Sequence, residues 1–259
     1  MKQQTISAVI IAKNEAHQIE RALKSLHWVD EIVVVDDGST DETATLAKKY
    51  TDKVIPHSFS GKIADTWQAG IDAATSEWLL LLDADEEVTE KFMEEVTKAL
   101  NHGSEKTDGY MFYRNNWFLG KEMKSGGWRH RHMRLYKKKS GVFSTKFHLD
   151  IKVKGDVGSI EADVNHYPFK SISQFVERQN FYSSLLIEDH RDKHGLVPLK
   201  EVKYHLTIRP LKLFWKSYVK KKGYRDGIHG LVFAILYAFL HFLEWAKYWE
   251  KYRDQLPKK

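Results

Sequence analysis

Two carboxylates stand directly behind the most apolar run of the chain. Leu79 to Leu82 are four consecutive leucines, and Asp83 and Asp85 follow them, one residue apart. Such a run predicts a strand buried on both faces, as in the middle of a parallel sheet. Side chains at i and i+2 point to the same side of a strand, so the two carboxylates can converge on one ion. Carboxylate oxygens are ligands that Mg²⁺ and Mn²⁺ prefer, usually with substrate phosphates completing the shell.

Taken alone, an Asp-x-Asp pair is also typical of a solvated turn, so the surrounding elements decide what it means. Apolar runs predict strands at residues 6–12, 31–37, 53–56 and 79–82. Helical spacing predicts helices at residues 16–26, 43–50, 63–74 and from Thr89 onward. This alternation indicates a parallel sheet with helices on both faces, in which ligands bind at the carboxyl ends of the strands. Neither a G-x-G-x-x-G nor a Walker lysine motif is present, which argues against dinucleotide oxidoreductases and P-loop proteins.

The second half of the chain has a different periodicity. Residues 110–114, 133–136 and 151–154 have the alternation of short strands and predict an antiparallel extension of the sheet. Residues 171–188 predict a helix capped by Ser173, followed by a polar turn at 190–195. We expect one domain over residues 1–197, with a first half at 1–105 and a second half at 106–197, and a separate helical region at 198–259.

Polar residues follow the first, second and fourth strands in three motifs. These motifs are Ala12-Lys13-Asn14-Glu15, Val35-Asp36-Asp37-Gly38-Ser39-Thr40-Asp41 and Leu82-Asp83-Ala84-Asp85-Glu86. In this order they resemble family 2 glycosyltransferases of the GT-A fold. Further motifs are Gly126-Gly127-Trp128, Arg134-Leu135-Tyr136, His148, His166-Tyr167 and Arg209-Pro210 followed by Gly227. These are similar to the bacterial lipopolysaccharide and lipooligosaccharide core glucosyltransferase branch.

The resemblance implies a Rossmann-like, mostly parallel sheet flanked by helices, an antiparallel extension and a C-terminal helical appendage. It also implies that residues 1–105 form the nucleotide-sugar half of the domain and residues 106–197 the acceptor half.

The resemblance also implies a nucleotide-sugar site. It assigns Asp37 to the uracil N3–H, which favours a UDP-sugar, and Glu15 to the ribose hydroxyls. Ala12 and Asn14 belong to the same site, and Lys62 lies in the segment that meets the diphosphate. As alternatives, Glu15 and Asp37 could cap the helices that follow them, and Lys62 could be an ordinary surface lysine. His17, His27, His57 and His102 receive no role.

The metal site and the general base follow from the same resemblance. Asp83 would lie beside the ribose and a divalent metal, Mg²⁺ or Mn²⁺, and Asp85 would hold the ion against the phosphates. His166 would complete the metal shell, unless it is structural. The resembling branch has His-Glu where this chain has His148 and Leu149, so we assign the base of an inverting transfer to Asp150. In a regular strand Asp150 faces away from the expected side, and a bulge would restore its direction.

Charge is unevenly distributed along the chain. The net charge is +6, but residues 198–259 hold 14 Lys and Arg against 5 Asp and Glu, so the rest is close to neutral. Apolar residues from Leu211 to Val219 recur at helical spacing beside lysines, and residues 227–243 contain no acidic or basic side chain except histidine. The uncharged run falls short of a spanning helix. We expect amphipathic helices on an anionic membrane surface, or alternatively a helical hairpin packed on the protein or on a second subunit.

These features combine into one functional expectation. We predict an inverting, metal-dependent transferase that moves a sugar, glucose in the resembling branch, from a UDP-sugar to a lipid-linked or polysaccharide acceptor such as the lipopolysaccharide inner core. Another cell-surface glycan or a protein is the alternative acceptor. A basic nucleic-acid-binding module is the alternative class, but we expect no nucleic acid, since crowded carboxylates repel phosphate. No cleavable signal peptide is evident, which fits a cytoplasmic enzyme peripheral to the inner membrane.

Overall fold

The structure is a computed structural model of the 259-residue chain. It describes residues 4–104, 106–143 and 151–257. The predicted base Asp150 lies outside the described residues, as do His148 and Leu149.

A mixed sheet forms the centre of the fold. Its first four strands are β1 (Ile6–Ala12), β2 (Glu31–Asp36), β3 (Val54–Pro56) and β4 (Trp78–Asp83). The others are β5 (Glu86–Val88), β6 (Thr107–Phe118), β7 (Lys121–Glu122), β8 (Arg131–Lys137) and β11 (Asp156–Phe169). A small antiparallel pair joins β9 (Gly141–Phe143) to β10 (Ile151–Val153).

The strand order of the large sheet is β3-β2-β1-β4-β8-β6-β11-β5, with β7 paired to β6. Strands β1 to β4 pair in parallel, whereas β8 pairs antiparallel with β4 and β6, which confirms the predicted change of direction.

Both faces of the parallel strands are covered, as the leucine run predicts. The helices of this half are α1 (Ile19–Lys24), α2 (Thr43–Ala47), α3 (Ile63–Ala73) and α4 (Glu90–His102). Leu80 and Leu82 point into a core shared with α1 and α4, whereas Leu79 and Leu81 point into a core shared with α3. At its closest approach α3 carries Gly70, where an added Cβ would come within 2.5 Å of Val9 Cγ1. Glycine therefore allows α3 to lie directly on β1 and β2.

The C-terminal part of the chain is helical and departs from the predictions in three places. Its helices are α5 (Ile172–His194), α6 (Leu199–Leu206), α7 (Ile208–Trp215) and α8 (Gly227–Tyr252). The predicted cap Ser173 is wrong, because the Ser171 hydroxyl accepts the Gln174 N–H and begins α5. The predicted turn at 190–195 is also wrong, since α5 continues to His194 and ends at Gly195, whose φ is 72°. The amphipathic helix beyond Trp215 changes to a π-helical turn at Lys216–Lys220.

Two compact units can be distinguished by the contacts within each. One comprises residues 1–115 and 130–166, and the other comprises residues 116–129 and 167–259. The second unit has its own apolar clusters, one around Trp245 and Tyr248 of α8 and one around Phe118 and Phe233. These bounds differ from residue 197, so the predicted functional division at that position stays a prediction.

Helix α8 is longer than the sequence pattern indicated. The helical stretch Gly223–Tyr252 is long and apolar enough to cross a membrane by length and composition, with a mean hydropathy of 1.6 over its most apolar 18 residues. The expectation that this run falls short of a span is therefore wrong on length. Core helices of proteins that enter no membrane satisfy the same criterion, and side chains of α8 do contribute to both apolar clusters.

Candidate active site

The predicted site residues of the parallel half come together at the carboxyl ends of β1, β2 and β4. In the register of these strands, Ala12 lies beside Asp36 and Ile11 lies beside Asp83. The Asp37 N–H donates to the Ala12 carbonyl at 2.9 Å, which extends the pairing one residue beyond β2. The three polar motifs therefore start from the same edge of the sheet, where open α/β sheets bind their ligands.

Asn14 connects the loop after β1 to the loop after β2. Its backbone lies in the left-handed region, with φ at 56°, a conformation that Asn adopts more readily than most residues. The Asn14 N–H donates to Ser39 Oγ at 3.0 Å, and the Thr40 N–H donates to Asn14 Oδ1 at 2.8 Å. The Glu15 N–H donates to Thr43 Oγ1 at 2.8 Å. Hydrogen bonds from backbone N–H groups to side-chain oxygens thus hold the two segments side by side.

Asp37 has a partner that the sequence reasoning did not assign. His57 Nδ1 lies 2.7 Å from Asp37 Oδ1, and because a carboxylate only accepts, Nδ1 carries the hydrogen. Thr66 Oγ1 lies 3.4 Å from the same oxygen. The backbone N–H of His57 donates to the Asp36 carbonyl at 2.8 Å and holds the residue in place. The sequence contained one signal for the contact with Asp37, because His57 directly follows β3, which lies beside the end of β2.

Glu15 and Asp37 do not cap the helices that follow them. The residues at the cap positions of α1 and α2 are Gln18 and Glu42. Glu15 is buried, and the side-chain amide of Gln18 donates to its Oε2 at 2.8 Å. Lys62 is exposed at the residue preceding α3, after Gly61, whose φ is 91°. Its contact with a diphosphate stays a prediction.

A buried ion-pair network lies at the end of β4. Arg114, from β6, places its Nη2 2.5 Å from Asp83 Oδ2 and pairs through its Nε with Glu86 Oε1. The Asp83 N–H donates to Glu86 Oε2 at 2.8 Å. Arg134, from β8, adds a second guanidinium 3.8 Å from Asp83 Oδ2, and this group lies 4.8 Å from the centre of the Trp67 ring.

Burial and these ion pairs shift the pKa values of the network in opposite directions. Burial alone would raise the pKa of Asp83, but Arg134 and Arg114 outweigh it and hold that pKa well below its usual range. Burial raises the pKa of Glu86 to about 7, against the opposing effect of Arg114. Burial also lowers the pKa of Arg134, and its Nη1 has no hydrogen-bond partner within the described residues. Asp83 is therefore held as an anion, whereas burial shifts Glu86 toward its neutral form against the pull of Arg114.

Asp85 and His166 bring together two side chains that could hold a divalent metal. His166 lies on β11, in register with Glu86 of β5, and its Nε2 lies 3.5 Å from Asp85 Oδ1. A carboxylate and an imidazole fit Mn²⁺ or Mg²⁺, which commonly take only one or two protein carboxylates and complete their shell with substrate phosphates. The described residues contain no group of three or more His, Asp or Glu that could hold a metal ion. Two of the three predicted ligands thus converge, while Asp83 Oδ2 binds Arg114.

Sequence reasoning did not assign Arg114 to the site, and it included Glu86 only as the last residue of the motif after the fourth strand. Arg114 occurs in the predicted strand at 110–114, but nothing in its spacing shows that its guanidinium reaches the end of β4, 31 residues earlier. The pairing of β8 between β4 and β6 brings them together. The sequence did contain a signal for an acidic partner, because Arg114 lies on a strand inside the sheet and a buried guanidinium requires one.

Removal of the Arg114 guanidinium should be costly, since it would leave two buried carboxylates without their partner. We expect Arg114→Met to lower the free energy of unfolding by about 3–5 kcal/mol. Urea unfolding followed by tryptophan fluorescence measures this loss. Glu86→Gln is the matched control and should lose no more than about 1.5 kcal/mol, since one charge leaves and Asp83 still neutralises Arg114. Equal losses in the two variants would contradict the account.

Comparison with known proteins assigns the family. The model of glycosyl transferase family 2 matches residues 7–153. An uncharacterized glycosyltransferase of Rickettsia felis is 31% identical, over 93% of this chain and 88% of the relative. The lipopolysaccharide core biosynthesis glycosyltransferase LpsC of Rhizobium meliloti is 28% identical, over 95% of this chain and 93% of the relative.

The solved structures that this chain matches are more distant. S. aureus TarS 1–349 in complex with UDP-GlcNAc has a TM-score of 0.48 at 14% identity, covering 99% of this chain and 93% of that one. Glucosyl-3-phosphoglycerate synthase from Mycobacterium tuberculosis, in complex with Mn²⁺ and UDP-glucose, has a TM-score of 0.46 at 18% identity, covering 71% and 78%. On the strength of the sequence matches, the chain belongs to glycosyl transferase family 2 and is a glycosyltransferase.

Proposed function

We propose that this glycosyltransferase is an inverting, metal-dependent enzyme that transfers a sugar, glucose in the first instance, from a UDP-sugar to a lipid-linked saccharide. The observation that carries the proposal is the meeting of Asp37, Asp83 and Asp85 at one edge of the parallel sheet. Carboxylates concentrated at an edge where phosphates bind require a cation between the two. A nucleoside diphosphate held through a divalent metal satisfies that requirement.

Donor binding begins with the base. Asp37 Oδ1 binds His57 and Thr66, which fixes the plane of the carboxylate, so we assign Oδ2 to the N3–H of uracil. Glu15 accepts from the ribose hydroxyls, and Ala12 and Asn14 shape the loop beside them. Lys62, the exposed residue directly before α3, approaches the diphosphate. Asp83, which the two arginines keep ionised, lies at the ribose and the metal.

Asp85 and His166 would hold the metal ion, with Asp83 beside them. When bound, the ion acts as a Lewis acid that neutralises the charge of the departing nucleoside diphosphate. The contribution of the chain is to keep the carboxylate of Asp85 directed to that place. Its neighbours Asp83 and Glu86 are both held by Arg114.

We assign the general base to Asp150. The acceptor hydroxyl oxygen forms its bond to the anomeric carbon while the bond from that carbon to the phosphate oxygen breaks. The hydroxyl proton passes to the Asp150 carboxylate, and UDP leaves with the bonding electron pair. Attack from the side opposite the leaving group inverts the configuration of the anomeric carbon.

The acceptor proposal rests on one relative and on charge. LpsC of Rhizobium meliloti is by name a lipopolysaccharide core biosynthesis glycosyltransferase, and the match covers nearly all of both chains. We therefore propose the lipopolysaccharide inner core as acceptor and the cytoplasmic face of the inner membrane as the place of reaction. The basic C-terminal region, with 14 Lys and Arg against 5 Asp and Glu, is compatible with an anionic membrane surface there.

A panel of nucleotide sugars tests the proposal. The purified protein is incubated with UDP-glucose, UDP-galactose, UDP-GlcNAc, GDP-mannose and dTDP-glucose, each with MnCl₂ or with EDTA, and released nucleoside diphosphate is measured. We expect release from UDP-glucose above the other donors, and only with the metal. Release from a GDP-sugar alone, or equal release in EDTA, would overturn the donor and metal assignments respectively.

The Asp37→Ala variant tests how the base is recognised. Loss of one buried hydrogen bond should weaken UDP binding by about 1–3 kcal/mol, because its partner on uracil is left unpaired. Isothermal titration calorimetry with UDP measures the change. Asp52→Ala, an exposed aspartate just before β3, is the matched control and should bind UDP like the parent. Unchanged UDP affinity in Asp37→Ala would show that this carboxylate does not contact the base.

The Asp150→Asn variant keeps the size of the side chain and removes its basicity. Sugar transfer should fall roughly 10²–10⁴-fold, the usual contribution of a positioned base. UDP and metal binding should persist, and so should slow hydrolysis of the donor. Asp156→Asn, an exposed aspartate at the start of β11, is the control. If Asp150→Asn transfers sugar at the parental rate, the base is another carboxylate, and Glu87 is the next to test, since Glu86 is paired with Arg114.

A further inference from the structure

An apolar stripe runs along the outside of α7 and the π-helical turn that follows it. Ile208, Leu211, Trp215 and Val219 recur at intervals of three and four residues, which places them on one face. Their exposed fractions are 47%, 67%, 56% and 43%. A contiguous stripe of large apolar side chains in water marks a surface that a partner covers.

The opposite face of this segment packs on the rest of the second unit, to which the segment belongs. Leu213 and Ser217 are buried, and the Ser217 hydroxyl donates to the Gly126 carbonyl at 3.1 Å. The Gly126 N–H donates in turn to the Lys221 carbonyl at 2.9 Å. The segment therefore cannot roll its stripe inward without breaking these contacts, so the apolar face stays directed outward.

Lysines accompany the stripe along one edge. Lys212, Lys216 and Lys220 follow one another at intervals of four residues, and all three are exposed. The stretch from residue 202 to 225 contains eight Lys and Arg and no Asp or Glu. Long lysine side chains can lie along an apolar boundary while their ammonium groups remain in water.

This combination selects one kind of partner. An acidic protein or a nucleic acid would pair with the lysines but would leave Leu211 and Trp215 in water. A lipid bilayer with anionic headgroups accepts both, because the aromatic and aliphatic groups enter the boundary of the acyl chains and the lysines meet the phosphates. We propose that Ile208–Lys220 forms a membrane-docking surface that lies flat on an anionic bilayer.

The biological purpose of this surface rests on the proposed function, in which the acceptor is lipid-linked. Its binding to a bilayer can be tested without that acceptor. Helix α8 is the competing element, since it has the length of a membrane span. However, Trp245 and Tyr248 of α8 pack in a cluster with Val202 of α6 and Ile187 of α5, and Phe233 packs with Phe118. A spanning α8 would have to give up these contacts, whereas the stripe on α7 needs no rearrangement.

Vesicle binding tests the surface without any donor or metal. The full-length protein is sedimented with vesicles of phosphatidylcholine alone or with 30% phosphatidylglycerol, in low and high salt. We expect binding to the anionic vesicles only, and release in 0.5 M NaCl, because salt screens exposed lysines. The double variant Leu211→Ser/Trp215→Ser should bind at least tenfold more weakly. The variant Lys212→Gln/Lys216→Gln/Lys220→Gln should lose about a hundredfold.

Val157→Ser is the matched control, because Val157 on β11 is 46% exposed but lies outside the proposed surface. It should bind vesicles like the parent, and thermal unfolding followed by circular dichroism verifies that each variant is folded. Parental vesicle binding by the Leu211/Trp215 variant would overturn the proposal. Vesicle binding that resists high salt, which a spanning helix predicts, would also overturn it. A third contradicting result would be a parent protein that binds no vesicles and forms a dimer, which the Leu211/Trp215 variant converts to a monomer. Failure of the nucleotide-sugar panel would leave this result unaffected.

Discussion

The guanidinium of Arg114 lies between the carboxylates of Asp83 and Glu86, and the position of the acidic motif after β4 depends on it. The burial that makes β4 the centre of the sheet would otherwise expel these charges, since a buried carboxylate without a partner is expensive. Arg114 compensates for both at once, and Arg134 adds to the field at Asp83. Asp85 stands between the two held residues in sequence. On the proposed function, this ion pair would support the backbone that carries the metal-binding carboxylate without itself touching substrate.

The parallel half was predictable because its physics is local. Four leucines followed by Asp83 and Asp85 define a buried strand and its polar end, and strand alternation then places Asp37 at the same edge of the sheet. Arg114 was not predictable as their partner, because the pairing of β6 with β8, and of β8 with β4, is set by contacts distant in sequence. His57 was missed for the same reason, since its role appears only when β3 lies beside β2. The end of α5 was misjudged because polar residues at 190–194 continue a helix as readily as they form a turn, and Gly195 marks the true end.

The chain separates two kinds of electrostatics. Its first unit concentrates carboxylates at a sheet edge and balances them with buried arginines, an arrangement suited to a metal and a diphosphate. Its second unit carries lysines at the surface beside exposed apolar side chains, an arrangement suited to anionic headgroups. On the proposed function, the first arrangement would serve the donor and the second the membrane that carries the acceptor.

The affinity of UDP with and without a divalent metal, in the parent and in Asp85→Ala, decides whether a cation joins the nucleotide to the carboxylates after β4. We expect MnCl₂ to strengthen UDP binding to the parent in isothermal titration calorimetry. EDTA, or loss of the Asp85 carboxylate, should remove that gain, while the thermal unfolding curve of the variant remains that of a folded protein. Metal-dependent UDP binding of equal strength in Asp85→Ala would contradict the claim that the carboxylates at the end of β4 hold the nucleotide through a cation.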